Sequence, residues 1–147
     1  TEKFSTNLRV GYQEREFSTD RESEGTVTLI SSSDFEISTR SNLNFVLSRD
    51  FATAGEGQSV EQTRVGATVF HVFTPRVNGQ ASGYYTNSDY EGSPREDDTY
   101  RASVRVNYRL NDLFTLNGSY IFRDNDSNQS GLSYTENMVQ VGANFRY

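Results

Sequence analysis

The chain of 147 residues has no cysteine, no tryptophan, two prolines and a single histidine, His71. Without cysteine there are no disulfides, no thiolate metal sites and no cysteine nucleophile. A long apolar run is also missing. Nothing approaches the roughly 18 residues of a membrane-spanning helix, and helix-period patterns are absent. Only 33% of the residues are hydrophobic, fewer than a soluble sandwich of this size needs for its core. The net charge of −6 disfavours nucleic acid as a partner. A mean hydropathy of −0.73 does not exclude a membrane, however. In a transmembrane barrel only alternate residues meet lipid, so each segment is weakly hydrophobic.

What the chain does have is alternation, with its apolar residues skewed to aromatics: nine Tyr and ten Phe. Period two is the strand signature. It predicts eight strands, at about 4–13, 26–38, 42–51, 61–73, 77–87, 99–110, 113–123 and from 138 to the last residue. The sixth is the cleanest: Tyr100, Ala102, Val104, Val106, Tyr108 and Leu110 alternate with Arg101, Ser103, Arg105, Asn107 and Arg109. Strands of about ten residues suit a tilted bilayer crossing. The connections alternate between long polar ones (17–25, 52–60, 88–98, 124–134) and short ones (39–41, 74–76, 111–112). Long loops outside and short turns on the periplasmic side are the outer-membrane pattern. Aromatics fall toward strand ends on the apolar face, among them Phe4, Tyr12, Tyr85, Tyr100, Phe114 and Phe145, as interfacial girdles do.

The expected fold is therefore all-β: an antiparallel up-and-down transmembrane β-barrel with eight strands visible, in one domain over residues 1–147. In hydrocarbon, unpaired backbone groups cost several kcal/mol each, on the order of a polar-group transfer. Closure removes both free edges. The alternatives are the eight strands as the carboxyl-terminal part of a larger barrel, and a soluble lipocalin-like barrel binding an apolar ligand. Residues 1–4 lead straight into a strand, so a mature form or an excised piece is expected.

The last stretch resembles the outer-membrane β-signal, with Gln140, Gly142, Phe145 and Tyr147 at its specified positions. Such an ending is read by the barrel assembly machinery. Three further stretches, LNFVLSRDF at 43–51, RVNYRLNDLFTLNGSY at 105–120 and YIFRDNDSN at 120–128, carry a wider resemblance. Over roughly residues 26–147 the chain is similar to the putative β-barrel porin type 2 family and to barrels encoded with exopolysaccharide systems. The resemblance implies a porin-like part in passing or anchoring polysaccharide at the cell surface. Lipid, lipopolysaccharide, polysaccharide and export-system proteins are the partners it brings. A closed structural or adhesive barrel acting through its outer loops remains the other membrane reading.

The polar face gathers Arg9, Arg64, Arg101, Arg105, Arg109, Arg123 and Arg146 with Asp34, Glu36 and Asp50. The planar fork of arginine binds carboxylates bidentately, so a lumen network of charge pairs is expected. Such a set either fills a closed lumen or, in a wider bore, lines a path selective for an anionic solute or a sugar. The oxygen-rich run 124–128 lacks the Gly and terminal Glu of a calcium loop and is expected as a solvated loop tip. His71 falls on the apolar face near a turn, with no orienting acid beside it in the pattern, so no enzyme is expected. Neither a cofactor nor a metal is expected.

Overall fold

The computed structural model describes residues 3–15, 24–53 and 59–146. Eight strands follow one another: β1 (Phe4–Arg15), β2 (Glu24–Ser38), β3 (Ser41–Thr53), β4 (Ser59–Thr74), β5 (Val77–Tyr90), β6 (Glu96–Arg109), β7 (Phe114–Ser127) and β8 (Tyr134–Phe145). They form a single antiparallel sheet in the order β1 to β8, each strand bonded to the next. The up-and-down arrangement expected from alternation is the arrangement found. Among the described residues the sheet is open: β1 pairs only with β2, and β8 only with β7.

Register keeps the two faces separate across all eight strands. Val139 on β8 shares its cross-strand row with Tyr120, Val104, Ala81, Val69, Leu43, Phe35 and Phe4. A slip of one residue anywhere would turn a strand's apolar set to the other face. Among the described residues nothing covers the apolar face. Val10 is 67% and Val141 85% exposed, and Phe51 and Val60 alone are buried hydrophobics among the described residues. A sheet that leaves its apolar face this bare is built for hydrocarbon, not for a core of its own.

The apolar band crosses these rows diagonally. One row reads Leu8, Ser31, Leu47, Val65, Tyr85 and Tyr100, then turns polar at Asp124 and Thr135. Val139, at the long-loop edge of the band on β8, lies in the row of Phe4, whereas the same edge on β1 is Tyr12, eight residues along. Eight residues at about 3.3 Å each, spread over seven strand spacings of about 4.8 Å, set the strands about 38° from the band normal. Transmembrane barrels tilt their strands by about 35–45°.

Aromatic pairs mark both margins of the band. Phe4 and Phe35 (4.6 Å between ring centroids) and Phe114 and Phe145 (4.8 Å) lie at the short-turn margin. Tyr85 and Tyr100 (5.1 Å) lie at the long-loop margin. From Phe4 to Tyr12, and from Phe114 to Phe122, the band is nine residues deep, which suits a tilted crossing.

The strands run further than alternation predicts, mostly toward the long loops. β5 continues to Tyr90, β6 begins at Glu96, β7 reaches Ser127 and β8 begins at Tyr134. The run 124–127, expected as a loop tip, is strand. Asp124 pairs with Tyr100 and Thr135, and Asn125, which is buried, with Thr99 and Tyr134. Beyond the band both faces of β6 and β7 are polar, so backbone pairing there continues after the hydropathy signal has ended. The expected loops 17–25 and 52–60 fall largely in residues 16–23 and 54–58, outside the described residues.

The short turns are fixed by side-chain oxygens that accept freed backbone N–H groups. Ser38 Oγ accepts from Arg40 N (3.2 Å). Thr74 Oγ1 accepts from Arg76 N (3.2 Å) and Val77 N (3.0 Å), with Pro75 between them. Asn111 Oδ1 accepts from Leu113 N (2.9 Å) and Phe114 N (2.8 Å). At the other end, Asn128 fastens the β5–β6 loop to β7. Its Nδ2 donates to Pro94 O (2.7 Å) and its Oδ1 accepts from Glu96 N (3.0 Å).

Candidate functional site on the polar face

Nine of the ten charged residues expected on the polar face stand there by register, Arg146 lying just beyond β8, and apart from Arg9 on β1 the acids and arginines are not intermixed. Asp34 and Glu36 are on β2 and Asp50 on β3; Arg64 is on β4, Arg101, Arg105 and Arg109 on β6, and Arg123 on β7. The expected network of charge pairs among them does not form. Asp34 accepts from Asn44 Nδ2 (2.8 Å) and Asp50 from its neighbour Phe51 N (2.8 Å). Arg109 donates to Pro75 O (3.1 Å). Of these arginines only Arg123 makes an ion pair among the described residues, with Glu136 of β8 at 3.3 Å. Alternation assigns a residue to a face but not to a neighbour. Here the separation across strands keeps acids and arginines apart. Arg9 on β1 faces Ile30, and Arg146, just beyond β8, is tied by its backbone to Leu113 O (2.9 Å).

The basic side of the face surrounds a cavity of about 510 Å³. Arg64, Arg101 and Arg123 line it, together with the hydroxyls of Ser82, Tyr84, Thr86, Ser88, Thr99, Ser103 and Tyr134 and the amide of Gln62. Arg101 and Arg123 stand directly opposite one another across β6 and β7. Like charges so placed are destabilising. Arg64 Nε donates to Thr86 Oγ1 at 3.4 Å. Among the described residues no carboxylate lines the cavity.

Tyr84 shapes its floor. The residue opposite on β4 is Gly66, and the Tyr84 ring lies across it, so that a Cβ on Gly66 would overlap the ring and come within 2.9 Å of Gly83 O. The Tyr84 hydroxyl bonds Thr68 Oγ1 at 2.8 Å. Glycine here lets an aromatic ring lie flat on the neighbouring strand. Gly66→Ala is expected to cost about 1–2 kcal/mol by lifting the ring. Urea unfolding of the protein in detergent micelles measures it, and an unchanged midpoint would mean the ring is not held there.

Sequence reading missed Tyr84 and Glu136 as parts of the site. Tyr84 lies between Ser82 and Thr86 on the polar face of β5, a stretch that gave no signal. Glu136 lies where β8 was not expected to begin. A further grouping appears on the apolar face, where Ser41 Oγ lies 2.7 Å from His71 Nδ1 and the ring meets Phe73 edge-on at 4.7 Å. Only the register of β3 with β4 brings Ser41 to His71.

The residues of the terminal motif are placed in part. Gln140 faces the polar side and accepts from Ser119 Oγ (3.4 Å). Asn117 lies over Gly142, where a Cβ would come within 2.8 Å of its Oδ1. Phe145 packs on Phe114. Tyr147 lies outside the described residues.

Residues 1–147 match the family model described as putative beta-barrel porin 2. Among solved structures, the chain is similar to OmpT, an outer membrane protein of Vibrio cholerae in a trimer form, with a TM-score of 0.69 and 14% sequence identity. The match covers 97% of this chain and 49% of that one, so the chain spans about half the length of the structure it resembles. No curated protein matches.

Proposed function

The chain belongs to the putative beta-barrel porin 2 family, and from that premise we propose that its eight strands form one wall of an outer-membrane channel through which a polysaccharide passes. The observation that carries this reading is the polar face. It holds an open, hydroxyl-lined cavity and segregated charges rather than a self-neutralised filling. The free edges of β1 and β8 support a wider barrel, since neither can stay unpaired in hydrocarbon. The OmpT likeness, at twice the length, points the same way. In this reading the long loops face the cell exterior and the short turns the periplasm. Lipid and lipopolysaccharide surround the apolar band, and the assembly machinery inserts the barrel. The channel belongs to a Gram-negative cell envelope and works with an exopolysaccharide export system.

The reading is not enzymatic. Ser41 and His71 supply two parts of a nucleophile set, but the ring packs edge-on against Phe73, and no carboxylate bonds it among the described residues.

Planar-bilayer recording of the full-length protein tests the proposal. A steady open-state conductance is the expected result. Folded, inserted protein that never conducts would overturn the channel in favour of a closed barrel acting through its loops.

A further inference from the structure

We propose that Arg64, Arg101 and Arg123 form a binding station for a polyhydroxylated oxyanion, a saccharide carrying carboxylate or phosphate groups. The inference rests on the channel reading and names what the wall recognises. Three observations combine. Arg101 and Arg123 are held opposite one another, a repulsive placement, and Glu136 pairs with only one of them. An oxyanion between the two guanidinium groups would offset that repulsion through bidentate hydrogen bonds. Among the described residues no carboxylate lines the cavity, and Glu136, outside the lining, engages Arg123 alone.

The remaining lining is hydroxyl and amide groups, which donate to and accept from sugar hydroxyls. A volume of about 510 Å³ is in the range of small-ligand sites and leaves room for sugar rings rather than a bare ion. The register places Arg64 in the row of Thr86 and Thr99, and Arg101 and Arg123 in the row of Tyr84. The arginines therefore reach in from two successive rows, with hydroxyls between them. The acidic residues Asp34, Glu36 and Asp50, on β2 and β3, lie to one side of the cavity and none of them lines it.

Calorimetric titration of the full-length protein, folded in detergent micelles, tests the station with three probes: trigalacturonate, glucose 6-phosphate and neutral maltotriose. At least one charged probe binds and maltotriose does not; which one binds separates carboxylate from phosphate. In the double variant Arg101→Gln/Arg123→Gln the affinity falls about tenfold or more. Arg64→Gln weakens binding as well. Arg109→Gln, on the same face but outside the cavity, leaves it unchanged.

Equal binding of maltotriose overturns the proposal, and so does failure of both charged probes or unchanged affinity in the folded double variant. If the double variant does not fold, Arg64→Gln decides by the same criterion. Binding in micelles needs no pore. Conductance without binding therefore overturns only the station, and binding without conductance overturns only the channel.

Discussion

Arginine in place of Val104 lowers the stability of the bilayer-inserted protein by about 2–4 kcal/mol. Val104 stands on a central strand, in the row that runs from Phe4 to Val139 inside the apolar band, and it is half exposed. Nothing beside it offers a charged partner: its cross-strand neighbours are Ala81 and Tyr120. A guanidinium there must stretch to a headgroup or draw water into the hydrocarbon. The same arginine at Asn42 costs little, within about 0.5 kcal/mol, because Asn42 is on the polar face opposite Glu36. Folding into phospholipid vesicles across a urea series, read by circular dichroism, separates the two. Equal effects from both variants would mean that the faces are assigned wrongly.

The second large effect lies beyond the band, where β5 and β6 leave it. Asp97 is buried, and its carboxylate is clamped by Arg95, whose Nε lies 3.1 Å from each carboxylate oxygen. The Arg95 guanidinium stacks 4.0 Å over the Tyr90 ring, and the Tyr90 hydroxyl donates to Asp97 at 3.2 Å. Burial by itself would push the Asp97 carboxyl up. Hydrogen bonds from Arg95, Ser127 and Tyr90 outweigh it and hold the group below its usual value.

A carboxyl held low in the folded protein binds its proton less readily than in the unfolded chain. Its stabilisation is complete above the unfolded value, about pH 3.9, and is lost as pH falls through the lower folded value. Asp97→Ala leaves Arg95 half-buried without its partner and costs about 2 kcal/mol. Stability in micelles measured from pH 6 to pH 3 checks this: the native protein loses stability at the acid end, and Asp97→Asn is flatter there. A variant with the native acid profile would mean that another carboxylate carries the effect.

Alternation made the fold legible because lipid on one side and polar groups on the other force a period of two. Tyr100 to Leu110 shows this most clearly. Strand ends were less legible. Asp124, Asn125 and Asp126 look like a loop tip because hydropathy reports lipid contact, whereas pairing with Tyr100, Thr99 and Asp98 is a backbone matter. The site was legible by face and not by neighbourhood. Arg64, Arg101 and Arg123 are separated by up to 59 positions in the sequence and meet through the register of four strands, which no single strand's pattern encodes. Tyr84 was hidden for a different reason: its role depends on the missing side chain of Gly66.

The diagonal course of the apolar band also fixes how wide a channel built from such strands must be. A barrel's radius depends only on strand number, strand spacing and tilt. At about 38° and about 4.8 Å, eight strands closing on themselves give a backbone radius of about 8 Å, which side chains fill. Sixteen give about 16 Å, and the arginines then border an aqueous aperture wide enough for a hydrated sugar chain. The tilt read from Phe4, Tyr12 and Val139 thus turns strand count alone into the difference between a plug and a conduit.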